Sequence, residues 1–250
     1  MRSKLLSVLA VYAGLILLLL SCSSPLGPVS ASQVTSGQDE MANEVLHLVE
    51  ELSDVNVSAY ELSSVVVVNE THPVSHIITG VSIDLRRLDA SGELGILARF
   101  IDGRFEGYNL YFYHDGDLVL LEDRPRPGDP KEAAMQVLDK CLAMGLFNAS
   151  FYEVVSLLLS QVSPDKNQTV LDEEHDMALE VEVRTKWSEC VFRWYWAKGE
   201  LKAKGKGLAI YIDMDMMVVK IFSFAWPFYK IGSTDINVSE EEAVQIALEE

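Results

Sequence analysis

Residues 94–122 read LGILARFIDGRFEGYNLYFYHDGDLVLLE, and this stretch decides the fold class. Runs rich in apolar and aromatic residues stand on both sides of Asp102-Gly103 and of Asp115-Gly116. An Asp-Gly pair between such runs is a strong hairpin signal, because both residues tolerate the positive φ angles of a tight turn. The stretch therefore predicts an antiparallel meander with strands at 94–101, 107–114 and 117–122.

A helix and two strands precede this meander. Strand-like runs lie at about 63–68 and 74–88, where apolar and polar residues alternate. The helix is predicted at 39–53, because its apolar residues recur at helical spacing. Those residues are Met41, Val45, Leu48, Val49 and Leu52.

The segment from Arg124 to Asp129 (RPRPGD) then breaks the pattern, so we place a boundary there. A helix opens at Asp129-Pro130 and runs to about Gly145, since proline is favoured at the first helical position. Ser150-Phe-Tyr-Glu153 is a capping box that predicts the start of another helix. A polar loop at 163–175 follows. Further strands are expected at about 177–186, 189–197, 207–213 and 216–224.

The order of helix followed by strands thus occurs twice. Runs of helices and of hairpin-spaced strands are typical of an α+β fold with antiparallel sheets and helices packed on one face. We divide the body into two helix-plus-sheet modules, residues 39–127 and residues 128–231. The second module is expected to hold two helices and a four-stranded antiparallel sheet.

The N-terminal segment has the layout of a secretion signal. Arg2 and Lys4 form a basic start, and residues 5–20 are uncharged and mostly apolar. Sixteen helical residues reach about 24 Å, short of the roughly 30 Å hydrocarbon core of a bilayer. Residues 1–22 are therefore predicted to be a signal peptide, with an uncleaved membrane anchor as the alternative.

Two processing sites compete after this leader. Val29-Ser30-Ala31 has the small residues that signal peptidase requires, which predicts cleavage after Ala31. Leu19-Leu20-Ser21-Cys22 resembles a lipobox, the motif that precedes the lipidated cysteine of bacterial and archaeal lipoproteins, which would place a lipid on Cys22. Residues 23–38 are uncharged and rich in Ser, Pro and Gly, as expected of a flexible tether.

The charge balance excludes one class of partner. Of the 250 residues, 49% are hydrophobic and 23% charged, as in an ordinary globular protein. Arg2 and Lys4 are the only charges before Asp39, so removal of the first 31 residues leaves 18 basic and 38 acidic side chains, a net charge of −20. Such a surface repels phosphate backbones, and we expect no nucleic-acid binding.

N-glycosylation sequons are unusually frequent. Five of the seven asparagines begin Asn-x-Ser/Thr, whereas roughly one match is expected by chance. In an exported chain these sequons predict glycosylation, and the alternative is that Asn and Ser meet by accident in turns. The five residues are Asn56, Asn69, Asn148, Asn167 and Asn237.

Two cysteines lie in the body of the chain. Cys141 falls on the apolar face of a predicted helix, and Cys190 alternates with Phe192 and Trp194 on one face of a predicted strand. A helix packed on that sheet would bring them together, and an oxidising exterior would allow a disulfide. Two buried free thiols are the alternative.

No known catalytic motif is present. The sequence lacks Gly-x-Ser-x-Gly, His-Glu-x-x-His and a phosphate-binding loop. His72 and His76 stand about 13 Å apart in an extended strand, too far to share a zinc ion. The acidic stretches 172–176 and 213–215 lack the ligand spacing of a calcium loop. We therefore predict no catalytic, metal or cofactor residue.

Aromatic and basic residues near the C-terminal strands have two interpretations. Trp194 and Trp196 share a strand face, and a second cluster begins at Trp226. If exposed, these rings would stack on sugars or dock a partner; if buried, they belong to the core. A lysine-rich hairpin would contact an acidic partner or be a solvated turn. Its lysines are Lys198, Lys202, Lys204 and Lys206.

The final stretch, residues 236–250 (INVSEEEAVQIALEE), resembles the opening helix of PepSY domains. The acidic start after Ser239 and the spacing of Ala243, Ile246 and Ala247 carry the resemblance. PepSY domains are small α+β units of exported proteins and protease propeptides. The resemblance implies protein binding or protease restraint outside the cell. It also predicts that a further unit begins within residues 232–250 and is truncated.

Together these features predict an exported, membrane-tethered or secreted binding protein of unknown ligand, without enzymatic activity. Its location would be extracellular or at the cell surface. The partner would be another extracellular protein, with membrane contact only through the N-terminal segment or a lipid. Two alternatives remain: an extracellular enzyme with an unrecognised site, and a glycan-binding surface protein that uses Trp194 or Trp226.

Overall fold

The hairpin predicted at Asp102-Gly103 joins two long strands in the computed structural model, which describes residues 36–71, 76–89, 92–113 and 118–225. Asp102 and Gly103 have φ angles of 50° and 73°, the positive values that this turn requires. The described residues contain nine strands in one antiparallel sheet, with three helices packed on one face. The predicted α+β class is confirmed.

The elements have the following bounds. The helices are α1 (Ser36–Ser53), α2 (Pro130–Ala143) and α3 (Ala149–Ser160). The strands are β1 (Tyr60–Thr71), β2 (Ile77–Arg87), β3 (Glu93–Ile101), β4 (Arg104–Tyr113), β5 (Gln168–Asp172), β6 (Met177–Arg184), β7 (Glu189–Lys198), β8 (Leu201–Asp213) and β9 (Val218–Phe224).

The sheet consists of two meanders joined by one short pairing. Its strand order is β1-β2-β3-β4-β9-β8-β7-β6-β5. β4 pairs with β9 through three residue pairs only: Gly107 with Ser223, Tyr108 with Phe222, and Asn109 with Ile221. The first meander follows α1 and the second follows α2 and α3, so helix-then-strands does occur twice. Both meanders belong to one sheet, so the strand order does not test the division into two modules. That division stays a prediction.

One apolar core lies between the sheet and the helices. α1 contributes Val45, Val49 and Leu52, all almost fully buried, as its sequence pattern predicted. The same cluster continues through α2 and α3 to the strands of both meanders. The buried members that the structure describes lie between Ala42 and Phe224, so a chain that starts at Ser36 retains all of these residues.

The helix ends follow local capping rules. Asp129 accepts a hydrogen bond from the amide of Glu132 and Pro130 takes the first helical position of α2, as predicted. The predicted cap of α3 at Ser150 is wrong. Asn148 caps this helix, because its Oδ1 accepts the amide of Phe151 at 2.8 Å. At the end of α2, Gly145 has a φ of 73° and forms a Schellman turn.

Two other predictions were wrong in detail. Residues 168–172, expected within a loop, form the short edge strand β5. In the expected strand at 117–122, the described residues contain only an isolated bridge between Leu120 and Val55. The amide of Leu121 donates to the carbonyl of Asp54, so this segment follows the end of α1 instead of extending the meander. The turn at Asp115-Gly116 lies outside the described residues.

The proline-rich boundary is tied to α1 and α2 by ion pairs. Asp54 accepts hydrogen bonds from Arg124 at 2.9 Å and from Lys140 at 2.8 Å. Arg124 also pairs with Glu51 at 2.8 Å, and these acceptors raise the pKa of its guanidinium. Because Asp54 is mostly shielded from solvent, this cluster fixes the end of α1 against α2.

The close approach of β4 and β9 depends on the missing side chain at Gly107. A Cβ atom at this position would clash with the carbonyl oxygen of Phe222 and lie 2.8 Å from the Cα of Ser223. Both of these neighbours are backbone atoms of a central strand, so they cannot rotate away. At Gly80, in β2, a Cβ atom would meet only the carbonyl oxygen of Val68, at 4.0 Å.

We therefore expect Gly107→Ala to lower the free energy of unfolding by about 2 kcal/mol, because an inserted methyl forces the two strands apart. Urea unfolding of the chain that starts at Ser36, followed by circular dichroism, measures this loss. Gly80→Ala is the matched control, since it makes the same change in the same sheet with room for the methyl. Equal losses in the two variants would contradict the explanation.

Candidate functional site

A cleft of about 500 Å³ lies where α1, the end of α2 and the turn between β3 and β4 meet. Its apolar lining comes from both meanders, from α1 and from the segment that follows α2. Leu48 belongs to α1, Phe105 to β4 and Phe224 to β9, while Met144 and Leu146 follow α2. A concave surface with this lining is the usual setting for a small ligand or an apolar side chain of a partner.

The local structure explains why these residues converge. The Schellman turn at Gly145 reverses the chain after α2 and directs Leu146 back along the helix, where its amide donates to the carbonyl of Cys141 at 2.9 Å. Phe224 is held by Phe147 at a centroid distance of 4.6 Å, with the rings edge to face. Phe105 stacks on Phe222 at 6.1 Å. The apolar walls are therefore fixed by packing.

Two charged residues, Glu44 on α1 and Arg104 at the start of β4, complete the lining. Both are solvent-exposed, and neither forms a salt bridge with another described residue, while Arg104 lies near enough to Asp102 to help lower the pKa of that carboxyl. A guanidinium suits a carboxylate, sulfonate or phosphate group, and a carboxylate suits an amine. The cleft thus combines an apolar floor with two charged side chains that form no salt bridge within the described part of the chain.

The histidines and acidic residues make other contacts. His76 lies 2.6 Å from Asp102, and the pKa of this carboxyl is lowered by the amide of Ile77 and by His76. The carboxylate of Asp172 accepts backbone amides of the turn that follows and contacts His175 at 2.9 Å. His72 lies outside the described residues. Within residues 36–71, 76–89, 92–113 and 118–225, no group of three or more His, Cys, Asp or Glu is arranged to hold a metal ion.

The aromatic residues separate into buried and exposed members. Trp194 is fully buried and its indole N–H donates to the carbonyl of Val155 at 3.0 Å, so of the two interpretations the core is correct for this residue. The glycan-binding hypothesis therefore fails at Trp194. Trp226 lies outside the described residues. Trp187, which sequence reasoning missed, is 59% exposed and lies near Arg184 and Lys186.

Ion pairs cover the face of β6 to β8 that is turned away from the helices. Glu182 contacts Arg184 at 2.9 Å and Arg193 at 2.7 Å, which lowers its pKa to about 2. In the lysine-rich hairpin, Lys204 pairs with Glu180 at 2.9 Å and Lys198 with Asp176 at 3.3 Å. These two lysines are thus engaged with carboxylates of the chain itself.

None of the four sequon asparagines within the described residues lines the cleft, and all four share one arrangement. In each, the amide oxygen accepts a hydrogen bond: from Ser58 at Asn56, from Thr79 at Asn69, from Phe151 at Asn148 and from Val183 at Asn167. The amide nitrogen, the atom to which a glycan attaches, makes no hydrogen bond to a described residue. Asn237 lies outside the described residues, as does Cys22.

The two body cysteines are free and buried, so the predicted disulfide between Cys141 and Cys190 is not formed. Cys190 lies near Asp129, the N-cap of α2, and its thiol approaches the carbonyl of Pro164 at 3.8 Å. Cys141 is in the last turn of the same helix, roughly 18 Å further along its axis. A disulfide requires Cα atoms within about 7 Å. The sequence periodicity indicated the face of the helix on which Cys141 lies, but not its position along the helix axis.

No protein-family model matches this chain, and neither curated proteins nor solved structures show significant similarity to it. The part of the chain that the structure describes contains no helix long and apolar enough to cross a membrane.

We expect both thiols to resist alkylation in the folded protein. Burial raises the pKa of Cys190 to about 12 and that of Cys141 further still, so almost no thiolate exists near neutral pH. Intact-mass measurement of the chain that starts at Ser36, which contains only these two cysteines, should show no iodoacetamide adduct in the native state and two adducts in concentrated urea. A native chain whose mass is lower by two hydrogens, and which is not labelled in urea, would instead contain the disulfide.

Proposed function

We propose that this chain is an exported, non-enzymatic binding protein, tethered to a membrane or secreted, whose ligand site is the cleft between α1 and the end of α2. One observation carries the proposal: the cleft has an apolar floor and two charged side chains, Glu44 and Arg104, that form no salt bridge with described residues. Groups of this kind favour a ligand with an apolar body and an anionic group near Arg104.

The leader supports the location outside the cell. The basic start, the apolar run and the uncharged tether are the sequence features of an exported chain. The arrangement of Asn56, Asn69, Asn148 and Asn167 supports glycosylation of the exported protein, since a sugar on the amide nitrogen would preserve each hydrogen bond of the amide oxygen. The protease restraint that the PepSY resemblance implies rests on residues 236–250, outside the described part.

Binding in the cleft is testable with the anionic dye anilinonaphthalene sulfonate, which has an apolar body and a sulfonate. We expect saturable fluorescence enhancement with the chain that starts at Ser36, and about tenfold weaker binding by Arg104→Gln, because a charge-assisted hydrogen bond is lost.

The matched control is Arg86→Gln. Arg86 is exposed, lies at the end of β2 that is away from the β3–β4 turn, and projects from the face of the sheet opposite the helices. Its affinity for the dye should remain within twofold of the unsubstituted chain. Non-saturable binding, or equal losses in the two variants, would argue against the cleft.

Export is tested by intact-mass analysis of membrane and culture fractions from the native host. We expect a chain without its leader, or a chain retained in the membrane fraction by a lipid on Cys22 or by the uncleaved leader, with added sugar mass on sequon peptides. An unmodified full-length chain in the cytosolic fraction would rule out the proposed location.

A further inference from the structure

The two edges of the sheet differ greatly in length. β5, at one edge, has five residues, whereas β1, at the other edge, has twelve. No other described strand pairs with the outer side of β1, so alternate backbone N–H and C=O groups along it lack a partner strand. A long open edge is a template for pairing with another strand, and natural proteins usually shorten, charge or cover such edges.

β1 contains one register shift, between Leu62 and Ser64, but residues 64–69 carry neither the charges nor the proline that usually protect an edge. Residues 62–69 (LSSVVVVN) carry no charge, although the whole chain has a net charge of −18. Leu62, Val66 and Val68 are 45%, 52% and 49% exposed. Val66 and Val68 project from the face of the sheet that none of the described helices covers, because Val65 and Val67 pack toward the core. The edge therefore offers apolar side chains together with unpaired backbone groups.

We propose that β1 pairs antiparallel with β1 of a second copy of this chain, about a two-fold axis that passes through residues 65–68. A two-fold axis brings the same strand to both sides of the interface, so the strand must complement itself. The four consecutive valines meet this condition, since β-branched residues stabilise one another as cross-strand neighbours. The lack of charge in this segment also reduces the local repulsion that a second copy of this acidic chain meets.

The expected interface is small. A twelve-residue strand is about 40 Å long, and a contact of that length buries close to the lower limit for specific interfaces, roughly 1,200 Å² in total. The dimer should therefore dissociate at low micromolar concentration. Because both copies are strongly acidic, higher ionic strength should strengthen the association.

Sedimentation velocity of the chain that starts at Ser36 tests the proposal. The chain is produced in a host that adds no N-glycan, because a sugar on Asn69 would lie at the end of the uncharged segment. We expect a monomer–dimer equilibrium whose dissociation constant falls as salt is raised. Hydrogen exchange at low and high protein concentration should show added protection in residues 60–71 and none in residues 168–172.

Val66→Lys should weaken the dimer at least tenfold, because it places like charges on either side of the axis. Leu171→Lys is the matched control: Leu171 is 46% exposed, lies in the opposite edge strand β5 and should leave the dimer unchanged. Both sites are half-exposed, so the thermal transitions should match that of the unsubstituted chain. A monomer at every concentration, or equal effects of the two substitutions, would overturn the proposal, and neither result bears on the cleft.

Discussion

The pairing of β4 with β9 is the constraint on which the rest of this structure depends. Three residue pairs join the two meanders into one sheet, and Gly107 permits the close approach of the two backbones. The helices then share one layer and one core. The cleft depends on the same pairing, since Phe105 lies on β4 and Phe224 on β9. The surface proposed to bind a ligand therefore requires the pairing of β4 with β9, and neither meander forms it alone.

Much of this fold is encoded locally and could be predicted from the sequence. The turn at Asp102-Gly103, the face of α1 and the start of α2 at Asp129-Pro130 each depend on residues close together in the chain. The pairing of β4 with β9 joins residues more than a hundred positions apart, and no local pattern indicates it. β5 was missed because five residues at an edge give little alternation, and the charged residues after it resemble a loop.

The candidate site was less accessible to sequence reasoning. Its lining residues run from Glu44 to Phe224 and belong to elements that become neighbours only in the folded sheet. Periodicity placed Cys141 and Trp194 correctly on apolar faces. It gave no information on position along the helix axis, which is why the expected disulfide was wrong. Exposed Trp187 lies in a short turn outside any periodic run, so no pattern drew attention to it.

β4 and β9 are far apart in the sequence, and this distance affects the order in which the sheet forms during synthesis. A chain is made from its N-terminus, and β1 to β4 contain all of their own hairpin contacts. β4 nevertheless remains an open edge until β9 emerges more than a hundred residues later. Throughout that interval the nascent first meander exposes both of its outer strands. A chaperone that covers strand edges would act on this protein before its last strand is translated.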